Sequence, residues 1–174
     1  VRSGTSWSQQ AKLVASDAAY GDNFGNSVSI SGDYALVGVE TDDDAGTSSG
    51  SAYIFVRSGT SWSQQAKLVA SDAAYGDNFG NSVSISGDYA LVGVETDDDA
   101  GTSSGSAYIF VRSGTSWSQQ AKLVAGDAAY NERFGYSVSI SGDYALVGAY
   151  NLDGGKAYTF VRSGTSWSQQ AKLV

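Results

Sequence analysis

The chain has 174 residues, contains no Cys, Met, Pro or His, and is rich in Gly (22) and Tyr (11). The missing residue types exclude disulfides, cysteine-based zinc sites and every catalytic triad that uses histidine. A formal charge of −8 argues against binding to a nucleic-acid backbone, and no apolar run reaches the ~18 residues of a membrane span.

The chain is a tandem repeat. Residues 1–55 and 56–110 are identical, residues 111–160 form a third copy with a shortened loop, and residues 161–174 repeat residues 1–14. The period is marked by Trp7, Trp62, Trp117 and Trp167. Self-similarity at a fixed period indicates a repeat architecture. Identity this complete is compatible with recent duplication and with a designed or consensus sequence.

Each period predicts four strands separated by turns rich in Gly, Asp and Ser. In the first unit they span residues 24–32, 33–39, 51–56 and 61–69. The first strand alternates Val and Ile with Ser, and the fourth is the most polar. Small serines suit a crowded inner position, whereas a polar strand suits an exposed outer edge.

The two central strands are apolar on both faces, so the sheet they form needs cover on both sides. In the second strand Tyr34 and Leu36 point to one face, and Ala35, Val37 and Val39 point to the other. The pattern predicts an all-β fold of tandem four-stranded antiparallel blades of β-propeller type, with three blades plus one extra outer strand. A β-solenoid is the main structural alternative, and an apolar spacing of two disfavours a helical repeat.

The predicted blades divide the chain into four segments. Residues 1–16 are expected to form an outer strand of a preceding or swapped blade. Blade 1 is expected at 17–71, blade 2 at 72–126 and blade 3 at 127–174.

Several short motifs carry a family resemblance: Phe24-Gly25, 35–38 (ALVG), 50–55 (GSAYIF) and 62–68 (WSQQAKL). Together, over essentially the whole chain, they resemble the FG-GAP repeat family, and more narrowly its bacterial branch. The resemblance implies a β-propeller of the type found at the head of integrin α chains. The family's Gly-Ala-Pro segment reads Gly-Val-Glu at 38–40, and its calcium loop between the first two strands is replaced by the turn at 31–33. The family's calcium site is therefore not expected at that turn.

The sharpest chemical feature is an acidic loop after the second strand, at residues 40–46 and again at 95–101. Calcium takes about six to eight oxygen ligands, and clustered carboxylates could supply several of them. The candidate metal ligands are Asp42, Asp43, Asp44, Asp97, Asp98 and Asp99. Consecutive Asp residues do not match the alternating spacing of EF-hand loops, so a solvated charged loop is the competing interpretation. The third unit keeps only Asp153 in this loop. No cofactor is required, and calcium is the candidate ion.

Regularly spaced aromatic residues are the second candidate feature. Their rings could stack on sugars, but packing between blades is the favoured interpretation. These residues are Trp7, Trp62, Trp117, Tyr20, Tyr75 and Tyr130. An active site normally breaks repeat symmetry, and no catalytic residue type does so here. The chain is therefore predicted to have no catalytic residues and to be no enzyme.

Three blades do not complete a ring, because propellers close with about four to eight. Unclosed blades expose sheet faces and edges, which favours self-association. Two chains could close a ring, whereas exchange of the extra outer strand would give a filament. The leading hypothesis is a non-enzymatic structural or adhesive protein, extracellular or at the cell surface, that self-assembles through its blades. The alternatives are a calcium- or glycan-binding lectin-like module and a designed propeller. The expected partners are copies of the chain, then a glycan or cell-surface ligand, with no nucleic acid and no membrane span.

Overall fold

The computed structural model describes residues 1–152 and 154–174, and the regular structure within them is entirely β-strand. A short hairpin precedes three four-stranded antiparallel sheets. The hairpin consists of β1 (Arg2–Ser3) and β2 (Ser6–Trp7). Blade 1 consists of β3 (Ser27–Ser31), β4 (Tyr34–Val39), β5 (Ser51–Ser58) and β6 (Ser61–Leu68). Blade 2 consists of β7 (Ser82–Ser86), β8 (Tyr89–Val94), β9 (Ser106–Ser113) and β10 (Ser116–Leu123). Blade 3 consists of β11 (Phe134–Ser141), β12 (Tyr144–Ala149), β13 (Lys156–Ser163) and β14 (Ser166–Leu173).

Within each blade the strands are hydrogen-bonded in chain order, so every blade is an antiparallel meander. This confirms the predicted fold class of tandem blades of β-propeller type. The first strand of blade 1 is shorter than predicted and begins at Ser27. Positive φ angles at Asn23 (53°) and Gly25 (92°) turn the chain just before it. In the part of the chain described here, no helix is long and apolar enough to cross a membrane.

Each blade has two chemically different faces. In blade 1 the serine face carries Ser29, Leu36 and Ile54, and the valine face carries Val28 and Val37. The serine face of blade 1 packs on the valine face of blade 2, and blade 2 packs on blade 3 in the same way. The blades therefore form a stack with a single polarity.

Small residues allow the blades to approach closely near their inner strands. A Cβ atom at Gly38 would lie 2.1 Å from the carbonyl oxygen of Gly80 in the next blade, and one at Gly93 would lie 2.1 Å from that of Gly135. Ser27 Oγ donates a hydrogen bond of 2.7 Å to the same Gly80 oxygen. The small residues of the repeat are therefore explained by contact between blades.

Residues 1–14 repeat the sequence of 56–69 without forming the same long strand. The strand that pairs with β6 is β5, and the first copy contains only the last part of that partner. Pairing therefore extends only over Arg2 with Trp7 and Ser3 with Ser6. Within the predicted outer strand at 1–16, only the short strands Arg2–Ser3 and Ser6–Trp7 form, and the assignment of this segment to a preceding or swapped blade stays a prediction.

Candidate functional site

Each end of the stack presents a blade face that no other blade covers, called an open face below. On the valine face of blade 1, Ile30 is 67% exposed, whereas its copy Ile85 is covered by blade 1 and is 5% exposed. On the serine face of blade 3, Leu146 is 42% exposed, whereas its copy Leu91 is 0% exposed. The expected cover on both faces is confirmed for blade 2, which has a neighbour on each side. It is wrong for the outward face of blade 3 and, on blade 1, for the part that carries Val28 and Ile30; the N-terminal segment with Leu13 and Ala15 covers the rest of that face.

Serine hydroxyls link the inner strands of successive blades. The amides of Ile85 and Gly87 donate hydrogen bonds to Ser29 Oγ (3.1 Å) and Ser31 Oγ (3.3 Å). The same two bonds join blade 2 to blade 3, at 3.1 and 3.3 Å. The corresponding serines of blade 3 lie on its open face and are Ser139 and Ser141. That face therefore carries the acceptor groups of the internal interface.

An aromatic and cationic contact joins the blades farther out. Tyr34, on the serine face of blade 1, lies under the Arg112 guanidinium, 4.7 Å from its ring centroid, and edge-on to Trp117 at 6.2 Å. Arg162 and Trp167 repeat this contact on Tyr89. Such cation–π and edge-to-face contacts each add about 0.5–1.5 kcal/mol to simple burial.

The predicted acidic loops fold around a lysine. Lys122 Nζ lies 2.8 Å from carboxylate oxygens of Asp72 and Asp97, and it also pairs with Asp99. Oxygens of these three carboxylates lie within 4.8 Å of one another, close enough to surround a cation. The first copy has the same arrangement, formed by Lys67, Asp17, Asp42 and Asp44. A tethered ammonium group thus occupies the place in which a cation would be held.

The six predicted metal ligands have two different roles. Buried Asp97 accepts hydrogen bonds from Ser106 Oγ (2.9 Å) and Tyr108 OH (3.1 Å) in addition to its lysine contact, whereas Asp98 accepts one from the Ser103 amide at 2.6 Å. In the first copy the same contacts are made by Asp42 and Asp43. Asp42, Asp44, Asp97 and Asp99 therefore hold a lysine, and Asp43 and Asp98 shape the loop. Calcium binding stays a prediction, and an ion at this position would have to displace the lysine.

The electrostatics of the cluster favour its charged form. Burial acts to lower the pKa of Lys122, but hydrogen bonds to Asp72, Asp97 and Asp99 outweigh it and raise the pKa above its ordinary value. Burial likewise acts to raise the pKa of Asp42, and the hydrogen bond from Lys67 with those of its other neighbours brings it below the usual value. Each cluster is therefore a network of ion pairs in which one lysine is shared by three carboxylates, so it keeps a net negative charge.

The lysines were absent from the predicted site, although the sequence carries a signal for them. Lys67 and Lys122 each recur with the same period as the acidic loop. In the fold, the outer strand that carries the lysine lies two places from the strand that precedes the loop. The ion pairs between the lysine and the loop depend on this order of strands in the sheet, so the composition of the loop alone does not predict them.

The third unit has a different arrangement. Lys156 stands where the other copies have Ser51 and Ser106, and it pairs with Glu132. Lys172 Nζ lies 2.6 Å from Asp127. The aspartate predicted for the loop, Asp153, lies outside the described residues.

The regularly spaced aromatic residues divide into two groups. Trp117 packs between blades, as predicted, and Trp62 packs on the valine face of blade 1. The prediction of packing between blades is wrong for a second group, whose side chains are exposed: Trp7, Tyr20, Tyr75 and Tyr130. The three tyrosines lie in the connections that precede the blades, outside the strands. Stacking of these rings on sugars stays a prediction.

Three four-stranded antiparallel meanders, each packed face to face on the next, define a repeat protein of β-propeller type. The family model for the FG-GAP repeat matches residues 7–55, 62–110 and 117–160. The chain therefore belongs to the FG-GAP repeat family. No curated protein matches the chain.

Proposed function

We propose that the chain is a non-enzymatic structural or adhesive module, extracellular or at the cell surface, that acts by self-assembly of its blades. The observation that carries the proposal is the exposure of Ile30 and Leu146 on faces that are buried interfaces elsewhere in the chain. Burial of apolar surface stabilises association by about 25 cal/mol per Å². Association that covers both faces therefore removes an unfavourable contact with water at each end of the stack.

The chemistry of the charged groups supports a role other than catalysis. The Asp–Lys–Tyr clusters are mutually paired and occur in two identical copies. Repeats of this family are typical of extracellular or surface proteins, which supports the proposed location. A contact between unlike faces gives a ring where the rotation closes and a filament where it does not.

The proposal is tested by multi-angle light scattering of the wild-type chain over a range of concentrations. We expect a mass that rises with concentration, or a discrete oligomer. In the variant Val28→Asp, a charge on the open valine face should abolish the association. The matched control is Thr60→Asp, which places the same charge in an exposed turn and should leave the association unchanged. A wild-type chain that stays monomeric throughout would contradict the proposal.

A further inference from the structure

The internal interfaces show which faces fit together. Both join a serine face to a valine face, and the two open faces of the stack are one of each kind. We propose that blade 3 of a second copy docks its serine face on the valine face of blade 1 and displaces residues 1–14, which lie there within a single chain. This inference rests on the proposed self-assembly and specifies its polarity.

The open serine face keeps most of the groups that make the internal contact. Tyr144 is the copy of Tyr34 and is exposed, so it can receive Arg57 and Trp62 of the second chain as Tyr34 receives Arg112 and Trp117. Exposed Leu173 is the copy of buried Leu68 and Leu123. The docked contact would therefore repeat one that the chain already makes twice.

Residues 1–14 cover part of the valine face of blade 1, on which the second copy would dock. Trp62 Nε1 donates to Gln10 Oε1 at 3.0 Å, as Trp117 Nε1 donates to Gln65 Oε1 at 3.0 Å. Leu13 packs on the valine face of blade 1, as Leu68 packs on that of blade 2. Because residues 161–174 have the same sequence as 1–14, β14 of a second copy can make the same contacts.

The cover given by residues 1–14 is incomplete. Val28 and Ile30 remain exposed beside this segment, whereas their copies Val83 and Ile85 are buried under a complete blade. A second copy would cover both side chains and still supply a glutamine to Trp62, from Gln170. Docking thus replaces an irregular segment by a whole sheet, which favours displacement.

One difference weakens the contact between chains relative to the internal ones. Thr159 stands on the open serine face where Ile54 and Ile109 are fully buried in the other blades. Threonine is more polar than isoleucine, so it gains less from burial and tolerates exposure better. The contact between chains therefore dissociates more readily than the contacts between blades within a chain.

Two equivalent leucines test the displacement. Leu13→Asp weakens the hold of residues 1–14, so we expect it to lower the concentration at which half the chains associate, by about tenfold. Leu173→Asp places the same charge on the incoming β14 and should raise that concentration by about tenfold or more. Sedimentation velocity gives both values, and circular dichroism checks that each variant is folded.

The other outcomes overturn the inference. Suppression by both variants would make residues 1–14 part of the contact between chains. Suppression by Leu13→Asp with promotion by Leu173→Asp would indicate that residues 1–14 replace β14 on a neighbouring chain. If neither variant changes the concentration at which half the chains associate, the contact lies elsewhere and the proposed function still stands. Absence of association in the wild type would remove the proposed function as well.

A mixing experiment tests the polarity with substitutions at two exposed positions. Ile30→Asp blocks the valine face and leaves the serine face free, and Leu146→Asp does the reverse. We expect each variant to be monomeric alone and an equimolar mixture to form a dimer, since one intact pair of unlike faces remains. Dimers of either variant alone would show contact between like faces and would overturn the inference.

Discussion

Gln65 and Trp117 join successive blades by a hydrogen bond of 3.0 Å between Oε1 and Nε1. Gln65 lies at a β-bulge, because its neighbours Gln64 and Ala66 pair with Phe55 and Ile54 and leave no partner for it. Bulges redirect side chains, and this one directs a glutamine to the next blade. The bulge thus couples the outer edge of one sheet to the outer edge of the next.

Replacing Gln65 by Ala should weaken the coupling between blades 1 and 2. The partly buried indole N–H of Trp117 loses its acceptor, so we expect the free energy of unfolding to fall by about 1 kcal/mol. Urea denaturation measures the change. The control is Gln170→Ala, at the equivalent bulge in exposed β14, measured at a concentration where the chain is monomeric. Equal losses in the two variants would contradict the assigned role.

Replacing Lys67 by Met should destabilise blade 1 through the acidic loop. Asp42 is buried and loses its nearest positive charge, so we expect a loss of up to about 3 kcal/mol. The matched control is Lys12→Met, because Lys12 has the same sequence neighbours, is exposed and pairs with no carboxylate in the described part of the chain. The control should stay within about 0.5 kcal/mol of the wild type. A Lys67→Met variant as stable as the control would show that the cluster contributes no stability.

The effect of Lys67→Met should depend on pH. Hydrogen bonding outweighs burial and lowers the pKa of Asp17 and Asp42 in the folded chain. Their contribution is therefore present above the unfolded-state pKa of about 3.9 and is lost as pH falls through the folded values. The pKa of Lys67 is raised by the same contacts against the effect of burial, so its contribution persists at neutral pH and is lost only in strong alkali.

We accordingly expect the stability difference between wild type and Lys67→Met to be constant near neutral pH and to shrink below about pH 4. Thermal melts at a series of pH values measure it. The difference between the two proteins is the useful quantity, because burial raises the pKa of Asp77 and Glu95, and these groups act in the opposite direction. A difference that grows on acidification would contradict the assignment.

Calcium should compete with the tethered lysines. In the wild type an ion must displace Lys67 or Lys122, whereas in the double variant Lys67→Met, Lys122→Met the carboxylates lack their counter-charge. We expect calcium to raise the melting temperature of the double variant more than that of the wild type. Magnesium serves as the control, because it demands a tighter octahedral geometry than a loop of this kind offers. An equal or larger calcium effect on the wild type would indicate that the ion binds beside the lysine.

The strand pattern and its meander order could be predicted because both depend on local signals. Alternation of Val and Ile with Ser, the Gly-Asp turn and the paired apolar faces are all present within one unit. The small serines of the first strand likewise predicted a crowded position, whereas the close approach of Gly38 to Gly80 joins two units and is visible only in the fold. The repeat itself then dictates that the blades stack.

The site was less predictable because it depends on contacts between distant residues. Lys67 and Asp17 are fifty residues apart and meet only when β6 lies beside the segment leading into blade 1. The exposure of Tyr75 depends on the path of a connection, and its repeat spacing is the same as that of partly buried Trp117. The course of residues 1–14 differs from that of their copies because their pairing partner is short.

Electron cryomicroscopy of the assembled chain shows directly which blades meet between chains. We expect an uninterrupted stack in which blade 3 of one chain contacts blade 1 of the next, with the same spacing as blades 1 and 2 within a chain and with residues 1–14 displaced from Trp62. Isolated three-blade particles, or chains joined through the acidic loops at the rim with Ile30 and Leu146 still exposed, would contradict it.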